Sequence, residues 1–150
     1  MKDIKTILFA LDISDGAEYV FEYAAAMANA FCAQIAVIHV IHRQTDLREY
    51  YVPEMSFEET DRQIDEAAVK MTNDFCERHR KDFHDIKGFT EVGVPHEKIV
   101  EKAIEINASM IVMGTHGRQG FEHFIFGSTA EGVVKNAPCP VLTIRPQKAE

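Results

Sequence analysis

Four residues late in the chain have the types and spacing to hold an anion: Gly114, Gly117, Gly127 and Ser128. They lie within residues 110–130, MIVMGTHGRQGFEHFIFGSTA. There a short apolar run breaks at Gly114, crosses a loop and meets Gly127-Ser128 where a new helix is expected. Glycine admits positive φ and lets a ligand approach the main chain closely. A helix start leaves backbone N–H groups unpaired at the positive end of the helix dipole, a setting that suits phosphate. The same letters also describe a plain strand-loop-helix connection, with Ser128 as N-cap and Glu131 completing a capping box. Spacing alone, Gly-x2-Gly-x9-Gly-Ser, leaves both readings open.

Other chemistries find less support. There is no G-x-S-x-G elbow and no Ser-His-Asp or paired-carboxylate arrangement that can be read from the sequence. The P-loop pattern G-x-x-x-x-G-K-[ST] is absent, so no lysine is placed for β and γ phosphates. The first strand is not followed by G-x-G-x-x-G, which disfavours NAD or FAD. His39 and His42 are three apart but straddle a strand end, and His116 and His123 lie in the glycine loop without nearby cysteines or an H-E-x-x-H pattern. No metal site is expected from them. Arg118 is placed to reach a phosphate or to stay solvated.

The rest of the chain must position that loop. Its 150 residues suit one domain, 1–150, with a core that needs no disulfides. A net charge of −8 argues against non-specific nucleic-acid binding, which calls for a basic surface. Three cysteines, Cys32, Cys76 and Cys139, form no C-x-x-C pair and suggest a reducing compartment. The apolar run at the N-terminus is bracketed by Asp3 and Asp12, too short for a signal peptide, and no stretch reads as a membrane span. The expected location is the cytoplasm.

Strands and helices alternate. Residues 4–11, IKTILFAL, read as a strand buried on both faces and stop at Asp12. A helix follows, with Val20, Tyr23, Ala24, Met27 and Phe31 as its expected buried stripe. Gln34–Ile41 (QIAVIHVI) is the second strand. Residues 42–56 read as a long surface connection, either a lid or partner contact or a tolerated insertion. A helix from 57 to about 80 would bury Ile64, Ala68, Met71 and Phe75. Ile86–Val92 reads as a more polar strand near a sheet edge. Pro95 suits a helix start, and residues 96–106 would bury Ile99, Val100, Ala103 and Ile104. Residues 109–113 form the fourth strand, Ser128–Asn136 the last helix and Val141–Ile144 a final edge strand. This β-α-β order predicts a three-layer α/β/α fold, a five-stranded parallel doubly wound sheet of Rossmann-like type. Ligands of such sheets bind beyond the carboxyl ends of the strands, where Asp12, Val40 and Met113-Gly114 converge.

Three features together resemble the universal stress protein family in its ATP-binding branch. They are Ile7-Leu8-Phe9-Ala10-Leu11-Asp12, the Gly114-x2-Gly117-x9-Gly127-Ser128 motif, and Ala137-Pro138-Cys139-Pro140-Val141-Leu142. The likeness spans essentially the whole chain and departs at Ala130, where some ATP-binding relatives keep a hydroxyl. It implies strand order 3-2-1-4-5 and an adenine nucleotide as ligand: ATP, or ADP or AMP. Asp12 and Val40 would flank the adenosine, with Val40 offering its backbone to the adenine edge, and Ala10 and Leu11 would belong to the same nucleotide site. Met113 and Gly114 would line the ribose, and Gly117, Gly127, Ser128 and Thr129 would receive the phosphates. Magnesium would arrive with the nucleotide, held mainly by phosphates and water. The resemblance also implies a homodimer paired through Val141, Leu142, Thr143 and Ile144. Phe121, Phe124 and Phe126 are placed either to cover the loop or to join that interface. The expected role is a stress or signalling module whose nucleotide occupancy changes what it offers to a protein partner. No catalytic residue and no enzyme activity are expected. A nucleotide-free interaction module and a slow ATPase are the alternatives.

Overall fold

A computed structural model describes residues 2–43, 54–116 and 126–147. Among them the elements run β1 (Thr6–Ala10), α1 (Ala17–Phe31), β2 (Gln34–Ile41), α2 (Glu54–His79), β3 (Ile86–Val92), α3 (Pro95–Glu105), β4 (Met110–Gly114), α4 (Ser128–Asn136) and β5 (Val141–Ile144). All strand pairs are parallel, in the order β3-β2-β1-β4-β5. This is the expected Rossmann-like α/β sheet, with β3 and β5 at its edges.

The period of two along each strand divides the core. Ile7 and Phe9 of β1, Ile35 and Val37 of β2 and Val112 of β4 face α1 and α2. Leu8, Ala36, Ile38, Ile111 and Met113 face α3 and α4, where Ile99, Ala103, Ala130 and Val133 meet them. Phe9 is fully buried, edge-on to Phe21 at 5.2 Å and stacked on Phe75 at 5.9 Å between centroids. Burying a ring of this size contributes about 1.5–3 kcal/mol. These aromatics tie β1 to both helices on that face.

Several local expectations shift. The buried stripe of α1 is Val20, Phe21, Ala24 and Ala28, while Tyr23 and Phe31 are 39% and 46% exposed. Phe21 takes the inward place because Phe9 and Phe75 surround it. Ile64 is exposed, and so is Ile104, which lies on the outer side of α3 away from the sheet. Helix α2 begins at Glu54, three residues earlier than expected. Pro95 opens α3 at its first turn, where its missing N–H is not needed.

The edge strand β5 has a defined outward side. Pro140 and Ile144 direct their carbonyls to β4, accepting from Ile111 N–H and Thr115 N–H at 2.9 Å each. Alternation then turns the amides and carbonyls of Val141 and Thr143 away from the sheet. No helix among the described residues is long and apolar enough to cross a membrane.

Candidate functional site

Strands β1 and β4 are neighbours, although the chain leaves β1 in one direction and returns to β4 from the other. Their carboxyl ends therefore part and open a crevice, the usual ligand position in doubly wound sheets. A cleft of about 1020 Å³ lies there, with Asp12, Val40, Gly114 and Gly127 in its wall. Ala10, Leu11, Met113, Ser128 and Thr129 line it too. Nine of the ten residues expected at the site thus surround one space. The tenth, Gly117, lies outside the described residues, as do Arg118, Phe121, His123 and Phe124 and the connection at 44–53.

The floor is apolar and buried: Leu11 is 7% exposed and Met113 is 4%. Ile99 of α3 and Ala68 of α2 close the sides. Polar groups stand at the strand ends. Asp12 is half-buried and accepts a hydrogen bond from the Ser14 hydroxyl. Burial pushes its carboxyl above the ordinary aspartate value, and the Ser14 hydroxyl, the Ser14 backbone and His39 partly offset that. Thr115 is buried, and its hydroxyl shares a 2.8 Å hydrogen bond with Nδ1 of His116.

Helix α4 points its amino end into the cleft. Gly127 is its N-cap in an extended conformation, and no side chain caps the helix. Ser128 is the first helical residue, and the Glu131 carboxylate pairs with Lys135 at 2.8 Å. The Ser128–Glu131 capping box is therefore not formed. The first-turn amides of a helix have no intrahelical acceptors, so an uncapped start is a set of donors for an anion. Gly127 makes a close approach: its N–H donates to the Thr115 carbonyl at 2.7 Å, and a Cβ there would lie 3.2 Å from that same oxygen, a tight contact. At Gly114 a Cβ would meet only ordinary contacts at 3.6 Å, so the fold itself does not demand glycine there.

Asp12 and Glu131 are the carboxylates in the wall, and among the described residues no lysine or arginine lines the space. Among the described residues no three His, Cys, Asp or Glu side chains gather as metal ligands. The arrangement offers an apolar slot, main-chain donors and hydroxyls, which suits a flat heterocycle carrying a phosphorylated sugar.

Lining residues outside the expected set include Thr115, Phe126 and His39. Thr115 follows Gly114 directly and was legible as part of the loop. Phe126, 41% exposed at the rim, was read only as a cover or an interface residue. His39 was weighed only as a metal ligand, yet it is buried in the wall with Nδ1 2.9 Å from the Leu11 carbonyl.

Comparison with known proteins agrees with this architecture. A protein of Staphylococcus aureus (strain USA300), named for universal stress proteins, is 34% identical over 146 residues, covering 96% of this chain and 86% of its own. The solved structure of hypothetical protein MJ0577 is 30% identical with a TM-score of 0.78, over 99% of this chain and 100% of that one. A universal stress protein solved in complex with cAMP shares the fold at 18% identity and a TM-score of 0.71, over 97% of this chain and 100% of its own. One from Archaeoglobus fulgidus in complex with dAMP does so at 23% and 0.60, over 96% and 100%. The model of the universal stress protein family matches residues 3–145. The chain belongs to the universal stress protein family.

Proposed function

We propose that this chain is an adenine-nucleotide-binding universal stress protein, with ATP as the ligand and ADP or AMP as its lower-phosphate forms. One observation carries the reading: the ends of β1, β2 and β4 and the uncapped start of α4 meet on a single cleft. Its volume is of the order of the largest small-molecule sites, which run to about 1,000 Å³. The nucleotides held by two structural neighbours, cAMP and dAMP, support the same ligand class.

In this reading Ala10, Leu11, Asp12 and Val40 hold the adenosine, and Met113 and Gly114 lie along the ribose. Gly117, Gly127, Ser128 and Thr129 receive the phosphates on main-chain donors and hydroxyls. With few fixed cations in the wall, magnesium is carried in by the phosphates and keeps most of its water. The chain works as one domain in the cytoplasm and binds its nucleotide without a role as an enzyme. Two copies pair through Val141–Ile144, whose outward amides and carbonyls at Val141 and Thr143 form a strand edge that no other strand among the described residues covers. Nucleotide occupancy then alters the surface offered to a protein partner.

Titration of ATP and AMP into the wild type and into Gly127→Val tests the site. A valine at 127 adds branches beside the Thr115 carbonyl, where even a Cβ sits at 3.2 Å. Binding in the wild type and its loss in the variant are expected. No binding of either nucleotide at millimolar concentration would sink the reading.

A further inference from the structure

Leu11 is the residue at which β1 lets go of β2. Its amide still donates to the Ile38 carbonyl at 2.8 Å, while the register runs from Thr6↔Gln34 to Ala10↔Ile38 and stops. One more step of a parallel ladder would have the Leu11 carbonyl accept from the Val40 amide, since each residue bonds the partners on either side of its opposite number. That carbonyl is instead 2.9 Å from Nδ1 of His39. A carbonyl oxygen only accepts, so Nδ1 carries the hydrogen. A side chain thus stands where a main-chain amide would close the ladder.

The consequence falls on Val40. Ile41 turns its main chain toward β3, its carbonyl accepting from Gly93 N–H at 3.0 Å, and Ile38 turns toward β1. Alternation along β2 directs the Val40 N–H and C=O to the β1 side, beyond the point where β1 ends. Val40 is half-buried there, in the wall of the cleft.

We propose that His39 is a positioning residue of the cleft: its imidazole occupies the Leu11 carbonyl and so leaves the Val40 main-chain donor and acceptor facing the ligand. The pair recognises a heterocycle edge whose exocyclic group donates beside a ring-nitrogen acceptor, as adenine presents; guanine reverses that order at O6 and N1–H and offers two acceptors on its N7–O6 edge. The ligand part rests on the nucleotide reading above. The ladder part does not. His39 is buried at the sheet, so its contribution acts through Leu11 and Val40 and needs no contact with the ligand.

Two variants and two readouts test it. His39→Leu puts an apolar side chain of similar size in its place and loses the donor. His39→Asn keeps one, because its amide nitrogen lies as many bonds from the backbone as Nδ1 does. The first readout is amide hydrogen exchange at Val40 in ligand-free protein. We expect Val40 to exchange at least about tenfold faster than Ile41 in the wild type and in His39→Asn, and to become protected in His39→Leu as it takes up the Leu11 carbonyl. The second is titration of AMP and GMP. His39→Leu should bind AMP about tenfold more weakly, the scale of one good hydrogen bond, with a smaller preference over GMP, and His39→Asn should stay near the wild type. A Val40 amide already protected in the wild type, or one that stays exposed in His39→Leu with AMP affinity unchanged, would overturn the proposal. A wild type that binds no AMP would defeat the nucleotide reading, and exchange at Val40 would then decide the positioning role alone.

Discussion

Gly132 sits in the middle of α4, where alanine is the better helix former by about 0.5–1 kcal/mol. Yet Gly132→Ala should destabilise this protein. A Cβ at 132 would lie 2.5 Å from Cγ of His96 and 2.7 Å from both its Cβ and Cδ2. These atoms are the root of the imidazole, so rotating the ring about its last bond does not clear them. Carbon atoms rest about 3.5–4.0 Å apart, which requires α3 and α4 to separate by roughly 1 Å. Overpacking of this kind costs about 1–3 kcal/mol, which exceeds the gain in helix propensity. The net loss should be about 1 kcal/mol, and up to about 2. Removing the obstacle reverses the sign: in a His96→Gly background, which takes away the Cβ as well as the ring, Gly132→Ala should stabilise by about 0.5–1 kcal/mol. Urea unfolding of the four proteins measures the cycle, with midpoints compared at constant slope. The coupling should be about 1–3 kcal/mol. A value within about 0.5 kcal/mol of zero would mean that the two residues act independently and that the close α3–α4 contact does not exist. The effect should also reach the cleft, because the first turn of α4 lines it: nucleotide affinity should fall in Gly132→Ala and recover in the double variant.

Asp12→Asn should raise the melting temperature at pH 7. Burial lifts the Asp12 pKa above its ordinary 3.8, so the folded state is penalised where the carboxyl is ionised and relieved as pH falls through the folded pKa. The gain over wild type should therefore shrink on acidification and vanish below about pH 3.8; a gain that does not change with pH would refute the cause given. Thr143→Pro removes an outward amide of the edge strand and leaves the Ile144 bond to β4 in place. Sedimentation should show a dimer in the wild type and a monomer in the variant, and a dimer that persists would place the interface elsewhere.

Much of this architecture was legible because the strands announce themselves. ILFAL is a continuous apolar run and IAVIHVI is broken only by His39, a pattern that suits strands covered on both faces, and Asp12, Gly114 and Pro95 mark where they stop or helices start. The position of the cleft was legible for the same reason: in a doubly wound sheet the strand ends share one crevice. What escaped depends on tertiary neighbours. Two overlapping stripes on α1 have helical spacing, and the aromatic cluster around Phe9, not the period, draws Phe21 inward. The first-turn roles of Gly127 and Ser128 differ by one residue, and that residue separates a capped helix from an open one. His39 looks like any strand residue until the register places Leu11 beside its ring.

The central claim is that the cleft holds an adenine nucleotide on the α4 start. The most direct test is to denature freshly purified wild type and Gly127→Val protein and identify what each releases by chromatography. An adenine nucleotide from the wild type and none from the variant is the predicted result. If neither releases one and the wild type takes up no ATP or AMP at millimolar concentration, the cleft is not a nucleotide site and the glycine loop serves only to shape the backbone.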